Sequence, residues 1–310
     1  MALNIFTLVG PTSIGKTALA TELARKYDLD IISADSRQIY KYMDIGTAKP
    51  PLADGRWLIA DGKKVRFHLI NIINPDVLYS AADFARDAQK VIELLTLQKR
   101  QFILVGGSGL YLKALFEPFF SAPPRDLSIR HNLGKESSEK LYGRLKVVDP
   151  TSAERIKPAD RQRIIRALEI YQQTRKPLSV QIKNQNQKTE YSPYYVGLTM
   201  ERKLLAEKIN QRFEQMVDDG LVDEVKNLLR IGYTKENNAL NGIGYQEIIR
   251  FLNKEISFME AIYLAKNRSR QYAKRQMTWF KKVEGIKWIE YTSPETAFSK
   301  LIQQYEKYLN

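Results

Sequence analysis

Residues Gly10-Pro11-Thr12-Ser13-Ile14-Gly15-Lys16-Thr17 spell a complete G-x-x-x-x-G-K-T phosphate loop. No other feature narrows the fold as much, because the flanks are right as well as the letters. Ile5-Phe6-Thr7-Leu8-Val9 is a short apolar, β-prone run, and Ala18-Leu19-Ala20-Thr21-Glu22-Leu23-Ala24 is a strong helix former. A strand–loop–helix unit aims successive backbone N–H groups and a helix N-terminus at one point, and that point binds phosphate. Gly10 to Thr17 are therefore candidates for holding a group with two or more phosphates. Lys16 would add a point charge, and Thr17 a hydroxyl suited to Mg²⁺ or a phosphate oxygen.

The 310 residues are 44% apolar, enough for a large core in one domain or two smaller ones. There is no apolar run of 18 residues, so no membrane partner is expected. Cysteine is absent, which excludes disulfides, thiolate-bound zinc and thiol catalysis. With His68 and His131 the sole histidines, a His-built metal centre is not expected either. No basic leader precedes the first strand, and a cytoplasmic protein is expected. Net charge is +14, split as +3 over residues 1–117, +7 over 118–196 and +4 over 197–310. A small phosphorylated ligand at the N-terminal loop does not need a basic middle. A nucleic acid does.

Residues 1–117 alternate strands (Ile5–Val9, Ile31–Ser33, Phe67–Ile70, Phe102–Val105) with helices (16–27, 81–99, 109–116). That alternation predicts an α/β fold, a P-loop NTPase-like parallel sheet with helices on both faces. Ser80-Ala81-Ala82-Asp83 resembles a capping box at a helix start. The character changes at Pro118. A structure-breaking Ser121–Asp126 stretch leads into basic helices near 126–146, 150–156 and 160–174, then the polar loop Asn184–Lys188. Tyr194–Thr199 reads as a strand returning to the sheet, so 118–196 is predicted to be a helical insertion domain. Residues 197–310 would complete the core with helices at 201–218, 221–231, 245–252 and 257–283 and a late strand at Trp288–Glu290.

An ATPase of this class carries an acidic residue at the end of a later strand. Here Phe102-Ile103-Leu104-Val105 ends in Gly106-Gly107-Ser108-Gly109 instead, a run expected to let a substrate approach the backbone. The carboxylate appears after the second strand, at Asp35. Strand C-termini converge on the ligand crevice in a doubly wound sheet. Asp35 would then face whatever approaches the bound phosphates, placed to take a proton from a nucleophile.

Together these pieces resemble the bacterial tRNA dimethylallyltransferases, the tRNA isopentenyltransferase family. GPTSIGKT resembles that family's GPTASGKT loop. Asp35-Ser36-Arg37-Gln38-Ile39-Tyr40-Lys41-Tyr42-Met43-Asp44-Ile45-Gly46-Thr47-Ala48-Lys49-Pro50 resembles its DSxQIYKGMDIGTAKP signature. Gly106-Gly107-Ser108-Gly109-Leu110-Tyr111 is similar to GGTGLY, and Arg163-Ile164-Ile165-Arg166-Ala167-Leu168-Glu169 to R-x-x-RALE. Gly242-Ile243-Gly244-Tyr245 and Tyr272-Ala273-Lys274-Arg275-Gln276-Met277-Thr278-Trp279-Phe280 complete the set.

The resemblance implies transfer of a dimethylallyl group from dimethylallyl diphosphate to N6 of the adenosine beside the anticodon. Diphosphate is the leaving group, which accounts for a phosphate loop without an ATPase carboxylate. Gly10 to Thr17 would cradle it, Thr17 with Mg²⁺, and Arg212 would add a cation at the leaving oxygen. Asp35 would accept the N6 proton, and Asp35, Ser36, Arg37 and Gln38 would meet the flipped base. The resemblance also places the tRNA anticodon stem-loop against Gln162, Arg163, Ile164, Ile165 and Arg166. Ser108, Arg130, Asn241, Gly242, Ile243, Gly244, Tyr245 and Gln246 would touch RNA or shape the tunnel to the site, as would Lys274, Arg275, Gln276, Met277, Thr278, Trp279, Phe280 and Lys281. Such an enzyme would act as a monomer. Three rival classes share features with this chain. They are a small-molecule kinase, an adenylate isopentenyltransferase acting on free nucleotide, and a non-catalytic RNA-binding protein. The first two do not need the basic middle, and the third does not need Lys16, Thr17 and Asp35 together.

Overall fold

From Ile5 to Val9 every residue of the first strand is buried, the mark of a parallel strand covered on both faces. The computed structural model describes residues 2–53, 57–60, 63–118, 120, 122–183 and 189–310. Its elements begin with β1 (Leu3–Val9), α1 (Lys16–Tyr27), β2 (Asp30–Ala34), β3 (Trp57–Ala60), β4 (Lys63–His68), α2 (Ala81–Leu97), β5 (Phe102–Gly106) and α3 (Gly109–Phe116). Five short helices follow: α4 (Leu127–Gly134), α5 (Ser138–Val148), α6 (Pro150–Arg155), α7 (Arg161–Thr174) and α8 (Leu178–Lys183). The chain then runs through β6 (Tyr191–Thr199), α9 (Arg202–Asp218), α10 (Leu221–Arg230), α11 (Tyr245–Leu252), α12 (Phe258–Phe280), β7 (Lys287–Glu290) and α13 (Pro294–Leu309). It divides into two units, Met1–Phe116 with Glu190–Asn310, and Glu117–Thr189. Residues 190–196, expected in the insertion, are thus part of the sheet unit, because β6 starts at Tyr191 and pairs with β1 from Leu3 onward.

The first unit is built on a sheet of order β3-β4-β2-β5-β1-β6-β7. Every pairing is parallel except β3 with β4, an antiparallel hairpin at the edge. Val9, Ala34 and Gly106 lie in register across β1, β5 and β2. The loops carrying the phosphate-loop motif, Asp35 and Gly107-Ser108 therefore leave the sheet at one level of one edge. Beneath them Phe6, Leu8, Ile31, Ile103 and Val196 are buried, each contributing about 1.5–3 kcal/mol. Ser80 and Asp83 form the reciprocal capping box at α2. Among the described residues no helix is long and apolar enough to cross a membrane.

Several expected elements differ. The strand over Phe67–Ile70 is displaced to Lys63–His68, because Leu69 and Asn71 turn left-handed at φ 60° and 56° and end the pairing. The single helix over 126–146 is two. Ser137 accepts from Lys140 N and caps a fresh start, α5. The β3–β4 hairpin, α8 and α13 have no counterpart in the sequence reading. Ser121 and the polar loop Asn184–Lys188 lie outside the described residues.

The second unit is a small helical cluster around Leu133, Leu141, Leu145, Ala153, Ile164, Ala167 and Leu168. At its side Glu169, with no exposed surface, accepts from Arg166 Nη1 at 2.8 Å, Arg130 Nη1 at 3.0 Å and Asp126 N at 2.7 Å. Arg166 also donates to Pro123 O at 2.6 Å. These two arginines buttress a buried carboxylate while each keeps about a quarter of its side chain exposed. Ile164 is fully buried, which corrects its assignment to RNA. Arg163 stays three-quarters exposed, with Asp160 Oδ2 at 3.4 Å. Glu169→Ala strands both guanidinium groups and is expected to cost about 3–5 kcal/mol of stability in this unit. Arg163→Ala is expected to stay within about 0.5 kcal/mol of wild type. Urea unfolding followed by probes in this unit checks both.

Candidate active site

Three loops from the sheet edge and two helices, α9 and α12, enclose a cavity of about 270 Å³ in the first unit. Its floor is the phosphate loop. Gly10, Ser13 and Gly15 take φ of 150°, 64° and 99°, turning successive amides to one side. Gly15 is also the N-cap of α1 and supplies no side chain to the helix amides, which leaves them open to an anion. A side chain at Gly15 would be strained at that φ and would press on the Tyr291 ring 3.1 Å away. Thr12, Ser13, Gly15, Lys16 and Thr17 line the cavity. Ile14 is fully buried in the core beneath it, so its side chain is not a ligand group.

Lys16 Nζ donates to Pro11 O at 2.8 Å. Burial, opposed by the Asp35 charge and reinforced by Arg212, pulls its pKa down to about 8. A bound anion restores the charged form. Pyrophosphate binding near pH 8 is therefore expected to take up a proton, and affinity is expected to fall as pH rises through that value. Calorimetry in buffers of different ionisation enthalpy checks this, and a Lys16→Met variant should lose the uptake.

Arg212, from α9, donates from Nη1 to Thr12 Oγ1 at 3.1 Å and to Ser13 Oγ at 3.4 Å. Its pKa is lowered by burial, with only the more distant Asp35 charge opposing. Among the described residues no carboxylate forms an ion pair with it. A buried guanidinium held by two hydroxyls and no counter-ion is poised for an incoming anion.

Asp35 follows β2 and lines the same cavity. Its Oδ1 accepts from Arg37 N at 2.8 Å and Gln38 N at 3.3 Å, which fixes the carboxylate. Among the described residues no hydrogen bond reaches Oδ2. Ser36 N donates to Ser108 Oγ at 3.2 Å. Arg37 turns away, its guanidinium donating to Asn238 O and Ala239 O. Gln38 is buried, accepting from Ser33 Oγ and donating to Thr47 O and Ala48 O. Opposite, Tyr272 of α12 was missed by the sequence reading as a cavity residue. Desolvation and the Asp35 charge push its pKa up to about 12.

The signature segment after Asp35 is held from outside the cavity. Glu224 of α10 accepts from the amides of Asp44, Ile45 and Gly46 at 2.7, 2.7 and 3.1 Å, and from Tyr245 Oη at 2.6 Å. Tyr245 is 1% exposed, so it supports this segment and does not meet RNA. Gly244 and Gly242 are buried beside it, and Ile243 is partly buried, while Asn241 is exposed.

Along α12, Phe280 is fully buried and Gln276 nearly so, a second correction to the RNA set. Lys266, Arg268 and Arg270 bond to Glu214, Glu247 and Asn210 on neighbouring helices. Lys274, Arg275, Thr278 and Lys281 are exposed, and Met277 and Trp279 partly so. The glycine run after β5 also serves packing. A Cβ on Gly106 would sit 2.2 Å from Ala34 O, one on Gly107 2.3 Å from Gln276 Nε2, and one on Gly109 2.4 Å from the Trp279 ring. Those glycines admit β2 and α12, and Gly106 and Gly107 line the cavity as well, where their bare backbone faces the space for a substrate.

Among the described residues no cluster of three His, Asp or Glu side chains is positioned to cage a metal. Thr17 bordering a phosphate loop suits Mg²⁺ instead, which takes few protein ligands and the rest from phosphate and water.

The chain matches the family model described as IPP transferase over residues 38–283. It is 43% identical over 295 residues to tRNA dimethylallyltransferase 2 of Geotalea daltonii, covering 93% of this chain and 88% of that one. It is 40% identical over 315 residues to the tRNA dimethylallyltransferase of Acetivibrio thermocellus, covering 99% and 97%. The crystal structure of the Staphylococcus epidermidis tRNA Δ(2)-isopentenylpyrophosphate transferase is 33% identical, with TM-score 0.69 and coverage of 98% and 99%. A eukaryotic dimethylallyltransferase captured crystallographically acting on tRNA is 26% identical, with TM-score 0.80 and coverage of 98% of this chain and 78% of that one.

Proposed function

The chain belongs to the IPP transferase family, the tRNA dimethylallyltransferases, and from that premise we propose the reaction and the residue roles in its cavity. The enzyme transfers a dimethylallyl group from dimethylallyl diphosphate to N6 of the adenosine adjacent to the anticodon of tRNA. The observation that carries this is the composition of the cavity. A phosphate loop with Lys16 and Thr17, the uncompensated Arg212 and the single carboxylate Asp35 share one space. The loop after β5 supplies no second carboxylate of the kind an ATPase uses.

In this reading the phosphate-loop amides, Lys16 and Arg212 bind the diphosphate and hold the negative charge that grows as its bond to the allylic carbon breaks. Thr17 would hold Mg²⁺, which would supply further neutralisation of that charge. The adenine N6 forms the new bond to the same carbon and loses a proton to Asp35 Oδ2. Gln38 and Ser36 border the base, and Tyr272 with the buried α12 face helps exclude water. The exposed cations Arg163, Lys274, Arg275 and Lys281, with Gln162 and Asn241, contact the RNA. The enzyme works as a cytoplasmic monomer. Nucleoside mass spectrometry of tRNA after incubation with enzyme, Mg²⁺ and dimethylallyl diphosphate tests the proposal. N6-isopentenyladenosine confined to the anticodon-flanking position is the expected product. A prenyl group on another base or on ribose would overturn the assignment of the acceptor.

A further inference from the structure

Gln276 is a buried amide that the proposed chemistry leaves without a task. Its Oε1 accepts from Thr12 N at 2.8 Å, and its Nε2 donates to Gly107 O at 2.9 Å. It therefore bridges the loops after β1 and β5, and occupies the amide of a phosphate-loop residue. The fit is reciprocal, because a Cβ on Gly107 would collide with Gln276 Nε2. One turn earlier on the same helix face stands Tyr272 (i, i+4), which borders the cavity beside Ser108. Ser108 Oγ in turn accepts from Ser36 N, next to Asp35. One face of α12 thus holds both halves of the cavity. Its other face carries the exposed Lys274, Arg275 and Lys281, with the Arg275 guanidinium 5.9 Å from the Tyr272 ring centre.

We propose that Gln276 is a positioning residue that couples RNA on the basic face of α12 to the geometry of the phosphate loop. The proposal rests on the reading of α12 as an RNA contact, and gives Gln276 a different part from the RNA contact expected of it. A small rotation or shift of α12 under RNA moves Gln276, and with it the Thr12 amide and the Thr12 hydroxyl that Arg212 uses. Two hydrogen bonds to two backbone loops make the linkage stiff, since neither group has a substitute partner when the side chain moves. By linkage the effect runs both ways, so diphosphate must raise RNA affinity by the same factor.

The test measures binding of Mg²⁺ with inorganic pyrophosphate to the full chain, with and without an unmodified anticodon stem-loop RNA. Wild type is expected to bind pyrophosphate about 5-fold or more tightly when RNA is present, the lower end of usual coupling. Gln276→Met keeps the volume and removes both hydrogen bonds, and is expected to bring the factor close to 1 while RNA binding persists. Gly107→Ala, whose Cβ would meet Gln276 Nε2 at 2.3 Å and Gly10 O at 3.1 Å, is expected to lower the factor as well. A wild-type factor of 1, or an unchanged factor in Gln276→Met, overturns the coupling role. In the second case Gln276 merely builds the loop. Failure of wild type to bind RNA at all would instead remove the functional reading beneath it.

Discussion

Asp35→Asn is expected to lower kcat for prenyl transfer by about 10²–10⁴-fold and to leave RNA binding within a few-fold of wild type. The substitution keeps the shape and retains an oxygen to accept from the Arg37 and Gln38 amides, so the loop should hold its geometry. What it removes is the acceptor for the N6 proton. The loss is therefore expected in kcat, with the KM values for both substrates little changed. Single-turnover kinetics with RNA affinity measured in parallel checks this. Near-normal turnover would show that Asp35 is not the base.

Arg212→Ala is expected to cost about 10²–10³-fold in kcat, because a preorganised donor is lost where charge develops on the leaving diphosphate. The guanidinium is already desolvated in the free enzyme and has no carboxylate to release before it engages the anion. Its contribution is thus greatest when the diphosphate is departing. Arg212→Lys is expected to recover only part of the rate, since an ammonium does not reach Thr12 and the ligand with a planar fork. A substrate analogue with a better leaving group should narrow the gap between Arg212→Ala and wild type. A gap that stays constant would place Arg212 in ground-state binding alone.

The phosphate loop, Asp35 and the parallel sheet were legible in the sequence because each is encoded locally. A strand, a glycine-rich turn and a helix start leave their marks within about twenty residues. The partners that complete the site are remote in sequence. Arg212 meets Thr12 across 200 residues and Gln276 across 264, and no periodicity announces such a contact. Motif resemblance found Arg212, yet it does not separate residues that touch a substrate from residues that hold the site. The buried Tyr245, Phe280, Gln276 and Ile164 therefore fall in the same motifs as exposed residues, although Ile164, Gln276 and Phe280 carry a local signal. Ile164, Ala167 and Leu168 form an i, i+3, i+4 apolar stripe, and Phe280 continues the buried stripe of Ala273 and Gln276. Arg166 stands three residues before Glu169, an ordinary helical ion pair that Arg130 then joins. Tyr245, by contrast, is buried through a partner on another helix, Glu224. The C-terminal helix was missed despite Ser293-Pro294 at its start and Ala297, Leu301 and Tyr305 at four-residue spacing. The β3–β4 hairpin was missed although Trp57-Leu58-Ile59-Ala60 is an apolar run and Val65 and Phe67 alternate with Lys64 and Arg66.

The central claim is that the phosphate loop serves a diphosphate leaving group and that the acceptor is an RNA base. The most direct measurement supplies purified protein, Mg²⁺ and labelled dimethylallyl diphosphate with unmodified tRNA, AMP or ATP in separate reactions. Label is expected to move into tRNA alone, with one diphosphate released per group transferred and ATP left intact. Label entering free nucleotide would contradict the RNA acceptor, and ATP consumption without prenyl transfer would contradict the assignment of the phosphate loop.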